Sequence, residues 1–229
     1  MANVLVTGAG RGLGLEFVRQ YSQAGWRVIA CARTPDKSPA LAELARDSAR
    51  NIEVHALDVG DFAAVDALAQ RLAGTPVDVL LNVAGVGGMA TFGRTDYAAW
   101  PEVLRVNTLA PLKCAESFVA HVAASEQKKI VTLSSILGSI GANESGGMYG
   151  YRSSKAAVNA IMKSLSIDLR ERGIIAVPLH PGWVRTDMGG PRADIDVQTS
   201  VSGMLRVIAG LRAADSGKFF NYAGEQLPW

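Results

Sequence analysis

The chain has 229 residues, 48% hydrophobic and 19% charged, with 23 Lys+Arg against 21 Asp+Glu and a formal net charge of +2. That size suits one ordinary domain, or two small ones, with a core that needs no disulfide or structural metal. The even charge balance gives no reason to expect a nucleic-acid or anionic-membrane partner.

In chain order, short runs rich in Val, Ile and Leu alternate with longer helical patterns. Strands are predicted over Asn3–Thr7, Arg27–Cys31, Ile52–Leu57, Val77–Asn82, Lys129–Ser134, Ile174–His180 and Lys218–Asn221. Helices are predicted over Gly12–Ala24, Pro39–Ala49, Phe62–Leu72, Tyr97–Ala124, Met148–Arg172 and Asp194–Leu211. The strand runs are continuously apolar rather than alternating, as expected where helices cover both faces of a sheet. Strand–helix alternation throughout predicts a doubly wound α/β domain with a parallel seven-stranded sheet. Gly85–Thr95 and Gly138–Gly147 are glycine-rich, lack periodicity and each follow a strand. They therefore belong at the carboxyl edge of the sheet, where such folds bind ligands.

No apolar run approaches the ~20 residues of a membrane span. The N-terminal apolar run Val4–Val6 breaks at once into glycines and Arg11, unlike a signal peptide, so a cytoplasmic location is expected. Cys31 and Cys114 show no CxxC spacing and read as reduced, buried thiols. His55, His121 and His180 are isolated, and no metal site is expected. Asp61, Asp66 and Asp78 read as helix-start or surface residues.

Thr7-Gly8-Ala9-Gly10-Arg11-Gly12-Leu13-Gly14 lies between the first strand and the first helix. Glycines there let the backbone turn tightly and approach a pyrophosphate, which a helix N-terminus stabilises. The spacing is TGxxxGxG rather than GxGxxG, and the loop is expected to hold a dinucleotide. The second strand ends Ala30-Cys31-Ala32-Arg33, with no carboxylate where NAD ribose hydroxyls are usually bound. Arg33 and Arg11 offer guanidinium groups to a 2′-phosphate instead. NADP(H) is therefore favoured over NAD(H), with Asp36 close enough to keep NAD open.

Tyr151 and Lys155 stand four apart in a helical pattern, which puts them on one face. An ordinary phenol is a poor acid–base group at neutral pH, and a nearby ammonium is expected to lower its pKa. Tyr149 is a competing tyrosine, but its partner at the same spacing is Ser153.

Together the glycine loop, Asn82-Val83-Ala84-Gly85, Asn107, Ser134-Ser135, Tyr151–Lys155 and Pro181-Gly182 resemble the short-chain dehydrogenase/reductase family over essentially the whole chain. The stretches Ser134–Ile140 and Gly146–Lys155 and the ending Leu227-Pro228-Trp229 resemble its C-factor/sniffer-like carbonyl reductase branch. The resemblance implies one Rossmann-type domain over residues 1–229. Its cofactor part would run to about 135, and its catalytic and substrate part from about 136 onward. It implies that Tyr151 protonates a substrate carbonyl oxygen, and that Lys155 lowers the Tyr151 pKa and bonds the nicotinamide ribose. Ser135 would bond the same oxygen and Asn107 would hold a relay water. Gly8, Arg11, Gly12, Leu13, Gly14 and Arg33 would contact the cofactor from the glycine-loop side. Asp58 and Val59 would flank the adenine, with Asn82, Ala84 and Gly85 on the adenosine side. Pro181, Gly182, backbone at Val184 and the Thr186 hydroxyl would sit at the nicotinamide end. Val83 stands where the family usually has a second Asn, which implies a lost local hydrogen bond. The Ser135–Tyr151 spacing of 16 residues exceeds the common one, so Ser134 stays open as an alternative serine.

The expected activity is reversible, NADPH-dependent reduction of a ketone or aldehyde. The alternative is a nucleotide-binding signalling or regulatory protein of the same fold with little catalysis. A small-molecule carbonyl or alcohol is the expected partner, and the resemblance suggests a homodimer or homotetramer through the helices at Tyr97–Ala124 and Met148–Arg172, with a monomer, also found in the family, left open. Trp183 is the best of the tryptophans for a substrate pocket, with Trp100 and Trp229 behind it. Met188–Gln198 reads as either a substrate lid or a plain loop.

Overall fold

The computed structural model describes residues 1–48, 51–88 and 90–229. The strands are β1 (Asn3–Thr7), β2 (Arg27–Ala32), β3 (Ile52–Ala56), β4 (Val79–Asn82), β5 (Lys129–Leu133), β6 (Ile175–His180) and β7 (Phe220–Asn221). The helices are α1 (Gly12–Gln23), α2 (Pro39–Asp47), α3 (Phe62–Arg71), α4 (Trp100–Leu104), α5 (Ala110–Ala123), α6 (Tyr149–Asp168) and α7 (Val197–Gly210). Of the sequence expectations, Ala49 in the second helix and Met89 in the Gly85–Thr95 loop lie outside the described residues.

All seven strands join one parallel sheet in the order β3-β2-β1-β4-β5-β6-β7. Successive residues of each strand feed opposite cores, which is why the strands are apolar on both faces. Leu5, Ile29, Leu80 and Ile130 pack with Phe118 of α5 and Val158 and Met162 of α6. Val4, Val6, Val28 and Leu81 pack with Phe17 of α1, Leu41 of α2 and Met204 of α7. Two helix starts are set by short acidic caps. The Asp61 carboxylate accepts from the Ala64 amide at 3.1 Å, and the Asp196 carboxylate from the Thr199 amide at 2.7 Å.

Three expected helices differ in detail, the last of them starting at Val197 rather than Asp194, directly behind its Asp196 cap. The single helix expected over Tyr97–Ala124 starts at Trp100, because the Asp96 carboxylate caps a turn at Ala98 and Ala99. It then passes through a π-helical turn at Arg105–Leu109 before continuing as α5. The helix expected from Met148 begins at Tyr149, because Met148 takes a left-handed conformation (φ 48°) after Gly146 and Gly147, both also at positive φ. No described helix is long and apolar enough to cross a membrane.

The order reverses between β1 and β4, so the loops leaving them diverge and open a crevice at the carboxyl edge. Thr7, at the end of β1, locks the two together. Its hydroxyl oxygen accepts from the Val83 amide at 3.0 Å and from the Ala84 amide at 3.2 Å.

Candidate active site

The glycine loop lies at the mouth of this crevice. A Cβ on Gly8 (φ 69°) would fall 2.8 Å from Ala84 N and Cα, and one on Gly14 would collide with the Gly8 carbonyl. Only glycines permit that approach of loop, strand and helix. No side chain caps α1, and its first turn carries no acidic residue, so its N-terminal amides are left for an anion. Nearby, Asn82 is buried and donates to the Thr132 hydroxyl at 3.2 Å, but its Oδ1 has no partner among the described residues. An uncapped helix start beside a glycine cradle and an unsatisfied buried amide oxygen suits an extended phosphate-bearing ligand that also offers a donor.

The two arginines at this end are engaged differently. Arg33 is exposed at the end of β2 and makes no ion pair among the described residues. Arg11 pairs instead with Asp187, just beyond Thr186, on the far side of the crevice. Gly12 sits under the same segment, since a Cβ there would lie 3.7 Å from Thr186 Cγ2. Ser38 is a neighbour that sequence pattern did not single out: its hydroxyl would lie 2.7 Å from a Cβ on Gly10. Asp58 is exposed, with its carboxylate accepting from the Gly60 amide at 2.9 Å, and Val59 beside it is buried.

The other side of the crevice comes from β5, α6 and the π turn. Lys155 is buried and its ammonium donates to the Leu133 carbonyl at 2.8 Å. It stands 5.7 Å from the Tyr151 ring centroid. Burial lowers its pKa to about 8. Burial raises the Tyr151 phenol above its ordinary value, while a hydrogen bond with the Ser135 side chain pulls it down. The lysine is held by Leu133, and desolvation outweighs the other influences on Tyr151.

The adjacent serines are sorted by the direction they face. The Ser134 hydroxyl is buried and donates to Asn159 Oδ1 at 2.6 Å. The Ser135 side chain is on the Tyr151 side, close enough to pull the phenol's pKa down, and its oxygen accepts from the Leu137 amide at 3.1 Å. Asn107 lies in the π turn, a distortion common at functional positions. Its amide is committed: Oδ1 accepts from Val86 N at 2.9 Å, and Nδ2 donates to Val86 O at 2.9 Å and Ser154 Oγ at 3.0 Å. Gly85 closes the gap, since a Cβ there would sit 3.3 Å from Asn107 Oδ1 and 3.8 Å from Lys155 Nζ. Ser154, which pattern reading passed over, ties the π turn to α6.

At the β6 end, Pro181 O accepts from Ser200 Oγ at 2.6 Å. Gly182 (φ 84°) leaves no room for a Cβ against Ile195 and Tyr222. Thr186 Oγ1 donates to Val184 O at 3.3 Å and accepts from Gly189 N at 3.1 Å. The Met188–Gln198 stretch folds back here through a Val184–Ile195 bridge. Half-exposed Trp183 donates to Gly189 O at 2.9 Å. Trp100 braces α6 by donating to Ser153 Oγ at 3.2 Å, and Trp229 stacks on Phe219.

The sequence profile of the short chain dehydrogenase family matches residues 2–195. The chain is 44% identical over 164 residues to C-signal of Myxococcus xanthus, covering 71% of this chain and 99% of that protein. It superposes on the carbonyl reductase Sniffer of D. melanogaster with a TM-score of 0.93 and 34% identity, covering 100% of both chains. An NADPH-bound carbonyl reductase from chicken fatty liver gives a TM-score of 0.92 and 36% identity, covering 100% of this chain and 99% of the other. By its matched sequence, its sheet order and these relatives, the chain belongs to the short-chain dehydrogenase/reductase family.

Proposed function

We propose that the protein is an NADP(H)-dependent oxidoreductase that reduces an uncharged ketone or aldehyde to an alcohol. The reading rests on one observation above the others. Asn107, Ser135, Tyr151 and Lys155 converge from three separate elements on the carboxyl edge, beside an uncapped helix N-terminus. Residues 1–135 would hold the cofactor through Gly8, Gly12, Leu13, Gly14, Asp58, Val59, Asn82, Ala84 and Gly85. Residues 136–229 would complete the site with Pro181, Gly182, Val184 and Thr186. Exposed Arg33, next to Ala32, supports NADP(H) over NAD(H), as does the NADPH bound in the chicken relative. Arg11 would have to leave Asp187 to join it.

When bound, the reduced nicotinamide supplies a hydride. Tyr151 donates its proton to the substrate oxygen. A phenol with a raised pKa stays protonated at neutral pH, the state a donor needs in the reducing direction. The Ser135 hydroxyl donates to the same oxygen as negative charge develops there. Lys155, protonated below about pH 8, stabilises the phenolate left behind. Because both Asn107 Nδ2 protons are used and Oδ1 already accepts from Val86 N, a relay water would be held by its main-chain carbonyl.

The test is oxidation of NADPH and NADH, followed at 340 nm, against a panel of aldehydes, ketones and diketones. Turnover with NADPH preferred is the expected result. Tight NADPH binding with no turnover across the panel would overturn the reductase reading and favour a nucleotide-binding role without catalysis. That second reading draws on the 44% identity to C-signal.

A further inference from the structure

One side chain spans the 15-residue stretch between Ser135 and Tyr151. Arg152, the residue after Tyr151 in the first turn of α6, donates from Nη1 to the Leu137 carbonyl at 3.3 Å. It donates from Nη2 to Ser145 Oγ at 2.8 Å and from Nε to the Gly146 carbonyl at 3.1 Å. The acceptors lie at the two ends of the loop: Leu137 just after Ser135, and Ser145 and Gly146 just before α6. Arg152 makes no ion pair among the described residues, so its planar fork is spent on neutral acceptors held in fixed directions.

Each end bears directly on a reacting group. The Leu137 amide donates to the Ser135 hydroxyl oxygen at 3.1 Å, and the turn that carries it is pressed onto α6. A Cβ on Gly138 would fall 2.7 Å from the Lys155 backbone. At the other end, Gly146, Gly147 and Met148 take three successive positive φ values (62°, 65° and 48°) to turn the chain into α6. That entry is fixed by Met148 N donating to Ala90 O at 2.7 Å and Arg152 N donating to Met148 O at 2.8 Å.

We propose that Arg152 is a positioning residue that sets the separation of the Ser135 hydroxyl and the Tyr151 phenol, by tying the Ser135 turn to the entry of α6. The proposal rests on the reductase reading for its consequence in turnover. A lysine at this position carries a point charge on a flexible stem and cannot hold both ends of the loop at once. A small misplacement of the two oxygens is enough to slow the reaction about 100-fold.

The test compares the full-length protein with Arg152→Ala, Arg152→Lys and Ser145→Ala. The readouts are kcat, KM, the NADPH dissociation constant and the Tyr151 titration. The titration is taken as the phenolate absorbance near 295 nm, differenced against the same background carrying Tyr151→Phe. Arg152→Ala should lower kcat about 10- to 100-fold, leave NADPH affinity within a factor of two, and move the Tyr151 titration upward as the Ser135 turn shifts away from the phenol. Ethylguanidinium in the buffer should restore part of that kcat, Arg152→Lys should recover only a fraction, and Ser145→Ala should show a milder loss in the same direction. An unchanged kcat and titration would overturn the proposal, as would parallel losses of kcat and NADPH binding. If Arg152→Ala does not fold, Ser145→Ala with an unmoved titration has the same force. If the wild-type protein turns over no carbonyl, the reductase reading fails, while the Tyr151 titration still decides the positioning role.

Discussion

Replacing Lys155 by Met should change how stability depends on pH, and the size follows from the burial of one ammonium. Lys155 is 5% exposed, and burial lowers its pKa from 10.5 to about 8. Below pH 8 the lysine is protonated in both folded and unfolded chains, and the folded state carries the full desolvation penalty. Between about 8 and 10.5 the folded lysine has released its proton while the unfolded one still holds it. The unfolded state then binds more protons, so stability rises with pH in that window. The shift of 10.5 − 8 = 2.5 units corresponds to about 3 kcal/mol. Methionine has no such titration. The stability of the wild type minus that of Lys155→Met should therefore climb by about 3 kcal/mol from pH 7 to pH 10.5. The difference is essential, because other buried groups act oppositely in the same range. Burial pushes the Cys114 thiol up to about 12, and raises the Cys31 thiol and the Tyr21 and Tyr151 phenols. The two thiols and Tyr21 lower stability at high pH in both proteins and cancel, and Tyr151, which borders Lys155, is replaced by Phe in both backgrounds so that its titration does not enter. Urea unfolding of both proteins, without nucleotide, at intervals from pH 7 to pH 10.5 measures it. A difference that stays flat across that range would refute the reasoning, and with it the desolvation of Lys155.

Arg33→Ala should raise the KM for NADPH about 10-fold or more and leave that for NADH nearly unchanged, as steady-state kinetics with both nucleotides would record. Asp187→Asn frees Arg11 from its ion pair and should tighten NADPH binding by a few-fold at low salt, an effect that calorimetry should find fading as salt is added. Phe118 is fully buried between sheet and helices, so Phe118→Ala should cost about 3–5 kcal/mol in urea unfolding. Trp229 O accepts from Ser139 Oγ at 2.9 Å and Gly141 N at 3.0 Å, inside the loop that leads from Ser135 to Tyr151. Removing residues 227–229 should therefore lower kcat more than it weakens NADPH binding.

The sheet was legible because its strands are apolar on both faces and bounded by glycine-rich turns. That signal needs no knowledge of neighbours, and all seven predicted strands pair within a residue or two of their expected bounds. The glycine loop and the Tyr151–Lys155 pair were legible for a related reason: their geometry is local, set by spacings of two to four residues. The π turn at Asn107 was not, because one widened turn hardly disturbs a helical pattern read from hydrophobicity. Met148 gave no warning of its left-handed conformation, since positive φ is signalled by glycine and here a methionine completes the run. Arg11 reads as a phosphate ligand from its loop, yet its partner Asp187 is remote in sequence and only the fold brings it close. The acid–base balance was the least legible of all. Spacing places Lys155 near Tyr151, but the depth of burial and the Leu133 carbonyl decide what each group's pKa does.

The central claim is that Tyr151 delivers the proton to a reduced carbonyl. It is tested most directly by Tyr151→Phe, assayed for NADPH oxidation with the best carbonyl substrate of the wild type, alongside NADPH binding by fluorescence titration. The expected result is turnover reduced by at least about 100-fold with NADPH affinity preserved. Substantial reductase activity in that variant would contradict it and move the proton donor elsewhere.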